Sequence, residues 1–562
     1  MKSFLENFTL LSTAIIVGLI VSVVAQVFAL TAKYIYDLSV GDDVFSYFNI
    51  VIIETELNIL PFFSCLLASI LVCILIKINK IERWHGPADT IYAAHQIAGT
   101  LDTKMGFNST LASFFSISGG ASVGMYGPLV HFGGTLAAYL RRRPFIPNIP
   151  HDIIIGAGVA AAISAGFGSP IAGIIFAHEA ILRHFSFKAI APIAVSSVVS
   201  STLANYFFPS GILLQNTSSE ISLLPSVSLS LILGPMCAVI AVIFMRSLIT
   251  LQKYSSKLSS SEFIRILYAV VAVGLIGGFI PEVLGLGSET IVGIIERSYT
   301  FYFLMCVLTL KLVVTVVCLS MGFFGGVFSP ALVLGAALGG ILTYIGSTFG
   351  INNIGDSLIL AGMAALSASV IGAPIASIVI IFELSHSYDL AFVAIICVAG
   401  SCLISSLIFG HSFFDMQLIN RNFRISRGRA DIVLSEISIK NIIGKNKFLS
   451  TTQTKRKELI KLFASSDFTE AYIIEEDNRL MGKIKVNEVM KELNQDVLID
   501  KNPLALSIDE SISEAITKAS NFVGESIPVL DQSKKLVGVI TEADLFLQYL
   551  SVQESISNIE RD

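Results

Sequence analysis

Two stretches of this chain repeat each other in register. Ala157-Gly158-Val159-Ala160-Ala161, Gly168-Ser169-Pro170-Ile171-Ala172 and Glu179 return 204 residues later as Ala361-Gly362-Met363-Ala364-Ala365, Gly372-Ala373-Pro374-Ile375-Ala376 and Glu383. A second pair, Gly127-Pro128 with Gly133, returns as Ser329-Pro330 with Gly335 at an offset of 202. Ordinary Gly/Ala packing would not keep proline and glutamate in step. The repeated segments are apolar, but glycine and proline interrupt Phe114–Gly134, Ile153–Ile181, Phe323–Ile345 and Leu358–Phe382. Broken helices leave backbone groups that lipid cannot satisfy, so these segments must be buried in protein or line a pathway. Such breaks at matching positions of two repeats point to a transporter or channel with its site near the membrane midplane, and an odd number of elements per repeat would make the repeats inverted.

Composition supports a membrane setting. The 562 residues are 54% hydrophobic and 14% charged, against about 25% charged in soluble chains. Apolar runs at Phe8–Tyr36, Leu57–Ile76, Ala189–Phe208, Val227–Ile249, Ile264–Ile280, Phe301–Val317 and Leu390–Phe409 are long enough to span a bilayer. The first is too long for a cleaved signal and reads as a retained helix. Of the 37 basic and 42 acidic residues, 38 fall in 431–562, so a membrane body carries a soluble tail. A net charge of −5 offers no footprint for nucleic acid. The seven cysteines sit in apolar runs without metal-ligand spacing and read as small buried hydrophobes.

A break places a helix N-terminus inside the membrane body, where free N–H groups and the positive end of the helix dipole can hold an anion without a full charge. Partial charges also release it again. The candidate termini are Trp84-His85-Gly86-Pro87, Gly124-Met125-Tyr126-Gly127-Pro128, Gly325-Gly326-Val327-Phe328-Ser329-Pro330 and His411-Ser412-Phe413-Phe414.

At these residues the sequence resembles the CLC family of chloride channels and chloride/proton antiporters, over nearly the whole chain. Gly326-Val327-Phe328-Ser329-Pro330 is similar to the family's GIFAP segment, and Gly168-Ser169-Pro170-Ile171-Ala172-Gly173 with Phe176 and Glu179 to its P-L-A-G-x-x-F-x-x-E helix. Gly124–Pro128 stands where the family has GREGP, and His85-Gly86-Pro87-Ala88-Asp89 resembles its GSGIPE or GHGVPE segment. The resemblance implies a homodimer in the lipid bilayer, each subunit with its own pathway for chloride or another small anion. It implies anion sites at Gly86, Met125, Tyr126, Gly127, Val327, Phe328 and Ser329, with His85 in place of a central serine and Phe414 in place of a central tyrosine.

Two departures bear on coupling. The family's antiporters carry a gating glutamate where this chain has Tyr126, and an ordinary phenol titrates only near about 10. Their second glutamate follows the equivalent of Glu179, and here it is Ala180. Glu179 is expected to bond nearby backbone amides, with a proton-carrying role as the alternative. His178 to His184 fails as a zinc-protease motif, because those histidines do not share a helix face. Lys311 is expected to snorkel or pair with a carboxylate rather than draw anions. His131 reads as a packed polar residue and Trp84 as an interface anchor.

In the tail, Tyr472-Ile473-Ile474-Glu475 with Leu480, Gly482 and Ile484 recurs 56 residues on as Pro528-Val529-Leu530-Asp531 with Leu536, Gly538 and Ile540. Two strand–turn–strand–helix units resemble a tandem pair of CBS domains. Thr541 and Asp544 match the family's G-x-I-T-x-x-D, implying adenine nucleotide contacts, whereas the first unit has Lys485 and Glu488 there. The reading is an all-α polytopic membrane protein with an inverted repeat (about 8–208 and 225–424 within 1–424) and α/β CBS units at 435–495 and 496–555. It is not an enzyme. Its expected function is passive, voltage-gated-type chloride permeation or uncoupled anion transport in the cell's inner membrane, with a cytosolic tail. The alternative is proton-coupled antiport by an unusual route, through His85 or His178.

Overall fold

The structure, a computed structural model, describes residues 2–40, 49–52, 55–96, 101–143, 149–207, 222–259, 261–351, 354, 356–421, 423, 433–435, 437–443, 448–491 and 497–561. The chain divides into two compact units, Met1–Asn420 and Arg421–Asp562. The expected boundaries at 208, 424 and 495/496 fall outside the described residues.

The first unit runs α1 (Lys2–Val40), an antiparallel hairpin β1 (Asn49–Ile52) and β2 (Thr55–Asn58), α2 (Leu60–Asn79), α3 (Pro87–His95), α4 (Thr103–Ser118), α5 (Tyr126–Arg141), α6 (His151–Phe167), α7 (Pro170–Phe176) and α8 (Phe187–Phe207). It continues with α9 (Leu223–Leu258), α10 (Glu262–Phe279), α11 (Ser288–Ile295), α12 (Phe301–Met321), α13 (Phe328–Thr348), α14 (Ser357–Ile371), α15 (Pro374–Ser385), α16 (Tyr388–Ile408) and α17 (Phe413–Ile419). Among the described residues, eight helices are long and apolar enough to cross a membrane. One of them, α13, differs from expectation. The sequence reading breaks this stretch at its glycines; the break at Gly325-Gly326 stands just before the helix, but Gly335, Gly339 and Gly340 lie inside one 21-residue helix, where they serve packing.

That packing is the repeat made physical. A Cβ on Gly133 would strike the carbonyl of Gly158, and one on Gly158 would strike that of Gly133, so α5 and α6 cross in backbone contact. Gly335 and Gly362 stand in the same mutual relation between α13 and α14. These are the residues that the offsets of 202 and 204 equate. Each second helix ends on a left-handed glycine, Gly168 (φ 69°) or Gly372 (φ 80°), a conformation that disfavours any side chain. Two residues later a proline restarts the chain as α7 or α15, in a first turn that has no helical use for its missing N–H.

The two restarted helices hold each other. Glu179, in the π-helical turn Ala177–Leu182 that continues α7, accepts from the N–H groups of Ile375 (3.0 Å) and Ala376 (2.8 Å) at the start of α15. Glu383, at the end of α15, accepts from Ile171 (2.9 Å) and Ala172 (2.8 Å) at the start of α7. Each helix donates to and accepts from the same partner. This isologous, antiparallel contact is the signature of a two-fold relation between the repeats. The amide-bonded position expected for Glu179 is therefore what the structure shows.

Lys311 corrects the sequence reading. It neither snorkels nor meets a carboxylate, because its fully buried ammonium donates to three backbone carbonyls, Val283 (3.0 Å), Leu284 (3.1 Å) and Gly285 (3.0 Å). These carbonyls belong to the turn between α10 and α11, and the ammonium matches all three of its donors to them. Cys306 is a second correction. It is exposed, and Cys73 and Cys402 are only partly buried, while the other four are buried as expected.

The second unit contains two three-stranded sheets of one plan. β3 (Leu449–Thr451) pairs parallel with β4 (Glu470–Ile474), which pairs antiparallel with β5 (Leu480–Lys485); α18 (Arg456–Ala464) and α19 (Val486–Val489) accompany them. β6 (Leu506–Ser507), β7 (Ile527–Leu530) and β8 (Leu536–Ile540) repeat the pattern with α20 (Ile512–Ala519) and α21 (Glu542–Arg561). Ile473 faces Gly482 as Val529 faces Gly538, and the register slips at the same step in both. The offset of 56 is thus a structural offset.

The exchange of carboxylates between α7 and α15 makes a symmetric forecast. Hydrogen bonds to charged groups contribute about 1.5–3 kcal/mol each, so Glu179→Ala and Glu383→Ala should each lose about 3 kcal/mol and melt at similarly lowered temperatures in detergent. A large loss for one variant and none for the other would break the two-fold argument.

Candidate anion-binding site

Four interrupted helices, α3, α5, α13 and α17, begin at the candidate termini, and their first turns are not alike. At α3 the N–H of Gly86 donates to Asp89 Oδ2 (2.9 Å), Arg83 holds Asp89 Oδ1 (2.8 Å), and the N–H of His85 donates to Ser109 Oγ (2.9 Å). At α17, Asp415 accepts from the N–H of Ser412 (3.3 Å) and donates its own N–H to Ser412 Oγ (3.2 Å), while Arg183 pairs with the carboxylate. A carboxylate already occupies the positive end of both helices. By contrast, α5 and α13 carry no acidic residue in the first turn. The amides of Tyr126, Gly127, Phe328 and Ser329 find no acceptor among the described residues. The buried Ser329 hydroxyl has no partner either.

The two open ends are tied together. Gly124 N–H donates to the carbonyl of Gly326 (2.7 Å), and Gly326 N–H donates back to Gly124 (2.5 Å). A Cβ on Gly124 would stand 2.8 Å from that carbonyl and 3.0 Å from the Ser329 amide, so this approach requires glycine. Met125, Tyr126 and Gly127 thereby meet Val327, Phe328 and Ser329. Two helix ends at roughly half a charge each supply about one positive charge with no cation present. Beside them, a Cβ on Gly127 would lie 3.6 Å from the ring of Pro87 at the start of α3, and the His85 ring lies 6.1 Å from that of His131. Phe414 is buried against Phe413 (6.2 Å) on the seven-residue α17. No described ring or hydrogen-bond contact joins it to the other candidates.

Tyr126 is the first residue of α5, and aromatic packing fixes it. Its ring stacks on Phe167 at 3.7 Å and 14°, and meets Phe328 edge-on at 5.5 Å; Phe167 closes the triangle on Phe328 at 5.3 Å. Gly166 leaves room for the ring, since a Cβ there would lie 3.0 Å from it. Phe167 was not singled out in the sequence, because it ends a helix of the same repeat with nothing local to mark its contact. Asp89 and Ser109 were missed likewise, although a carboxylate three residues into a helix is a legible capping signal.

The remaining candidates fall as follows. Ala180 is buried in the π-helical turn beside Glu179 and supplies no protonatable group. His178 Nδ1 bonds the His184 carbonyl (3.0 Å) and its ring stacks on Phe185 (5.0 Å). His131 Nδ1 bonds the hydroxyl of Thr90 (2.8 Å), as expected of a packed polar residue, yet its Nε2 is buried without a partner. In the tail, Thr541 and Asp544 cap α21, with Asp544 Oδ2 accepting from the Thr541 amide (2.8 Å) and hydroxyl (2.6 Å). Lys483 and Glu470 form a buried pair (2.5 Å) within the first tail repeat, and Lys483 also donates to the carbonyl of Ser526 (2.9 Å) in the second. Tyr472 Oη bonds Ser526 beside them, and burial pushes that phenol well above its usual range.

Known proteins resemble this chain in both of its units. The family model described as Voltage gated chloride channel matches residues 65–406, and that of the CBS domain matches 495–550. A putative chloride channel protein ClcB-like from Ralstonia nicotianae is 26% identical over 310 residues, covering 54% of this chain and 72% of its own. An H(+)/Cl(-) exchange transporter ClcA from Yersinia pestis bv. Antiqua is 26% identical over 349 residues, covering 59% and 71%. The solved structure of a eukaryotic CLC transporter superposes with a TM-score of 0.64 at 16% identity, covering 96% of this chain and 98% of that one.

Proposed function

The chain belongs to the CLC family of anion transporters, and from that membership we propose that it is a passive permeation protein for chloride or a similar small anion, without obligatory proton coupling. One observation carries the reading. The position at the start of α5 holds a phenol packed between two phenylalanines, where a proton-coupled pathway needs a group that ionises and moves. Ala180 leaves the second such position empty of titratable chemistry. The anion would rest on the amides of Met125, Tyr126, Gly127, Val327, Phe328 and Ser329, with His85, Gly86 and Phe414 along the pathway and Tyr126 as its gate. We place the protein as a homodimer in the cell's inner membrane, with the tail, read as CBS units at 435–495 and 496–555, in the cytosol.

Proton-coupled exchange is the second reading. It is favoured by the relatives named as exchangers and by the buried, unpartnered Nε2 of His131 next to His85. Reconstitution in liposomes separates the two. With an imposed anion gradient, anion efflux and internal pH are recorded together, and passive permeation predicts efflux with no uphill proton movement. Proton pumping driven by the gradient would falsify it.

The gate can be tested by installing what is missing. Tyr126→Glu would place an acceptor-only carboxylate among open N–H groups, where it competes with the anion while ionised and withdraws when protonated. Anion flux in this variant should rise steeply as pH falls, still uncoupled because Ala180 is unchanged. Flux as flat with pH as in the parent would remove residue 126 from the pathway.

For the tail we propose an adenine nucleotide at Thr541 and Asp544. Residues 421–562 form their own compact unit, so calorimetry on that fragment is a direct assay. ATP or AMP should bind, and Asp544→Ala should weaken binding by about 1–3 kcal/mol through loss of charge-assisted hydrogen bonds. Absence of binding at millimolar nucleotide leaves the pair with its capping role only.

A further inference from the structure

A cavity of about 190 Å³ lies against the Tyr126 gate. Gln26 and Lys33 of α1, Tyr126 of α5, Ser288 of α11 and Ser329 of α13 supply its polar lining, with Met125 and other apolar side chains between them. Among the described residues, Lys33 is the one charged side chain that lines it. A water in the liquid takes about 30 Å³, so the space admits a small anion still carrying several waters. The buried floor is different in kind: Ser329 is 5% exposed, and its hydroxyl has no partner.

We propose that this cavity is an anion-capture site, where Lys33 and the first turn of α11 hold a partly hydrated, monovalent inorganic anion before it loses water to the open helix ends at Ser329 and Tyr126. The proposal rests on the permeation reading above and adds a site to it. Three independent features converge there. The N–H of Ser288, the residue of the first turn of α11 that lines this cavity, finds no acceptor among the described residues, because the first bond of α11 runs from Ile291 to Gly287. Lys33 brings a full charge to the same space. The Ser329 hydroxyl waits unpaired on the floor.

The surrounding charges oppose capture and so tune it. A second cavity of about 160 Å³ shares Lys33, Leu286 and Ser288 with the first, and adds Asp37, Glu282 and Glu289. Lys33 Nζ is 3.9 Å from Glu289 Oε1, a distance at the edge of ion pairing, with the two side chains 55% and 73% exposed. Water screens such a pair strongly. Lys33 therefore stands between an acidic cavity and one that holds no acid, and weakening its tie to the first should strengthen its hold on an anion in the second.

Full-length protein in liposomes tests this by chloride flux measured against chloride concentration at low ionic strength. Lys33→Gln should raise the half-saturating chloride roughly threefold to tenfold, the factor that about 1 kcal/mol represents, with little change in maximal flux. Lys33→Arg should restore it, and Glu289→Gln should lower it below the parent's. An impermeant salt near 0.1 M, where the screening length is about 10 Å, should shrink these differences. Identical saturation curves for Lys33→Gln, Glu289→Gln and an active parent would overturn the capture site while leaving permeation intact. So would a Lys33→Gln loss that is equal at every chloride concentration and not rescued by arginine, which marks a structural role. A parent without anion flux would overturn the permeation reading and the capture site with it.

Discussion

The first unit depends on one constraint: a backbone N–H or C=O inside an apolar body must find a partner within the protein. Breaking a helix at glycine and proline creates such groups by the handful, and this chain breaks its helices at matching places in both repeats. Most of the resulting ends are closed. Glu179 and Glu383 close α15 and α7 for each other, and Asp89 and Asp415 close α3 and α17 from within. Of the four candidate termini, α5 and α13 are the two left without a carboxylate, and they are joined at Gly124 and Gly326. The surface proposed for the anion is in this sense what remains when the other two candidate ends have been given a carboxylate.

Lys311 obeys the same rule with the opposite sign. The turn around Val283 to Gly285 turns three carbonyls inward, and a buried ammonium answers them. That cation cannot also serve the anion, because its three donors are spent. The separation suits the pathway proposed above. A full charge facing the pathway would bind an anion tightly, whereas helix ends with partial charges allow it to leave. Lys33 can carry a full charge near the route because water and Glu289 moderate it.

Much of this was legible in the sequence where the signal is periodic or repeated. The offsets of 202 and 204 name the glycine pairs that cross and the glutamates that exchange bonds, and the offset of 56 names the tail strands. Contacts between residues that share no pattern were not legible. Phe167 stacks on Tyr126 across 41 positions, and Lys33 meets the cavity from a helix that belongs to neither repeated motif. The reading of α13 placed its start correctly but also broke it at Gly335 and Gly339, for a related reason. Glycines that break a helix and glycines that admit a neighbouring backbone look the same in one chain, and only the position of Gly362 and Leu358 against Gly335 and Gly339 tells them apart.

An aromatic triangle fixes Tyr126, the residue proposed above as the gate. A carboxylate at that place would have two stable positions, on the amides when charged and away from them when neutral, and pH would choose between them. A phenol has no such choice near neutrality. Its position is set by packing, and an aromatic pair contributes only about 0.5–1.5 kcal/mol beyond buried area, a difference that thermal motion crosses often. Tyr126 touches two rings, one from the end of α6 and one from the start of α13. Its freedom to swing therefore depends on how those two helices sit against each other, and they belong to different repeats. Movement of one repeat against the other would loosen the ring, so under the passive permeation proposed above it is the two-fold joint, and not a titrating group, that would govern opening.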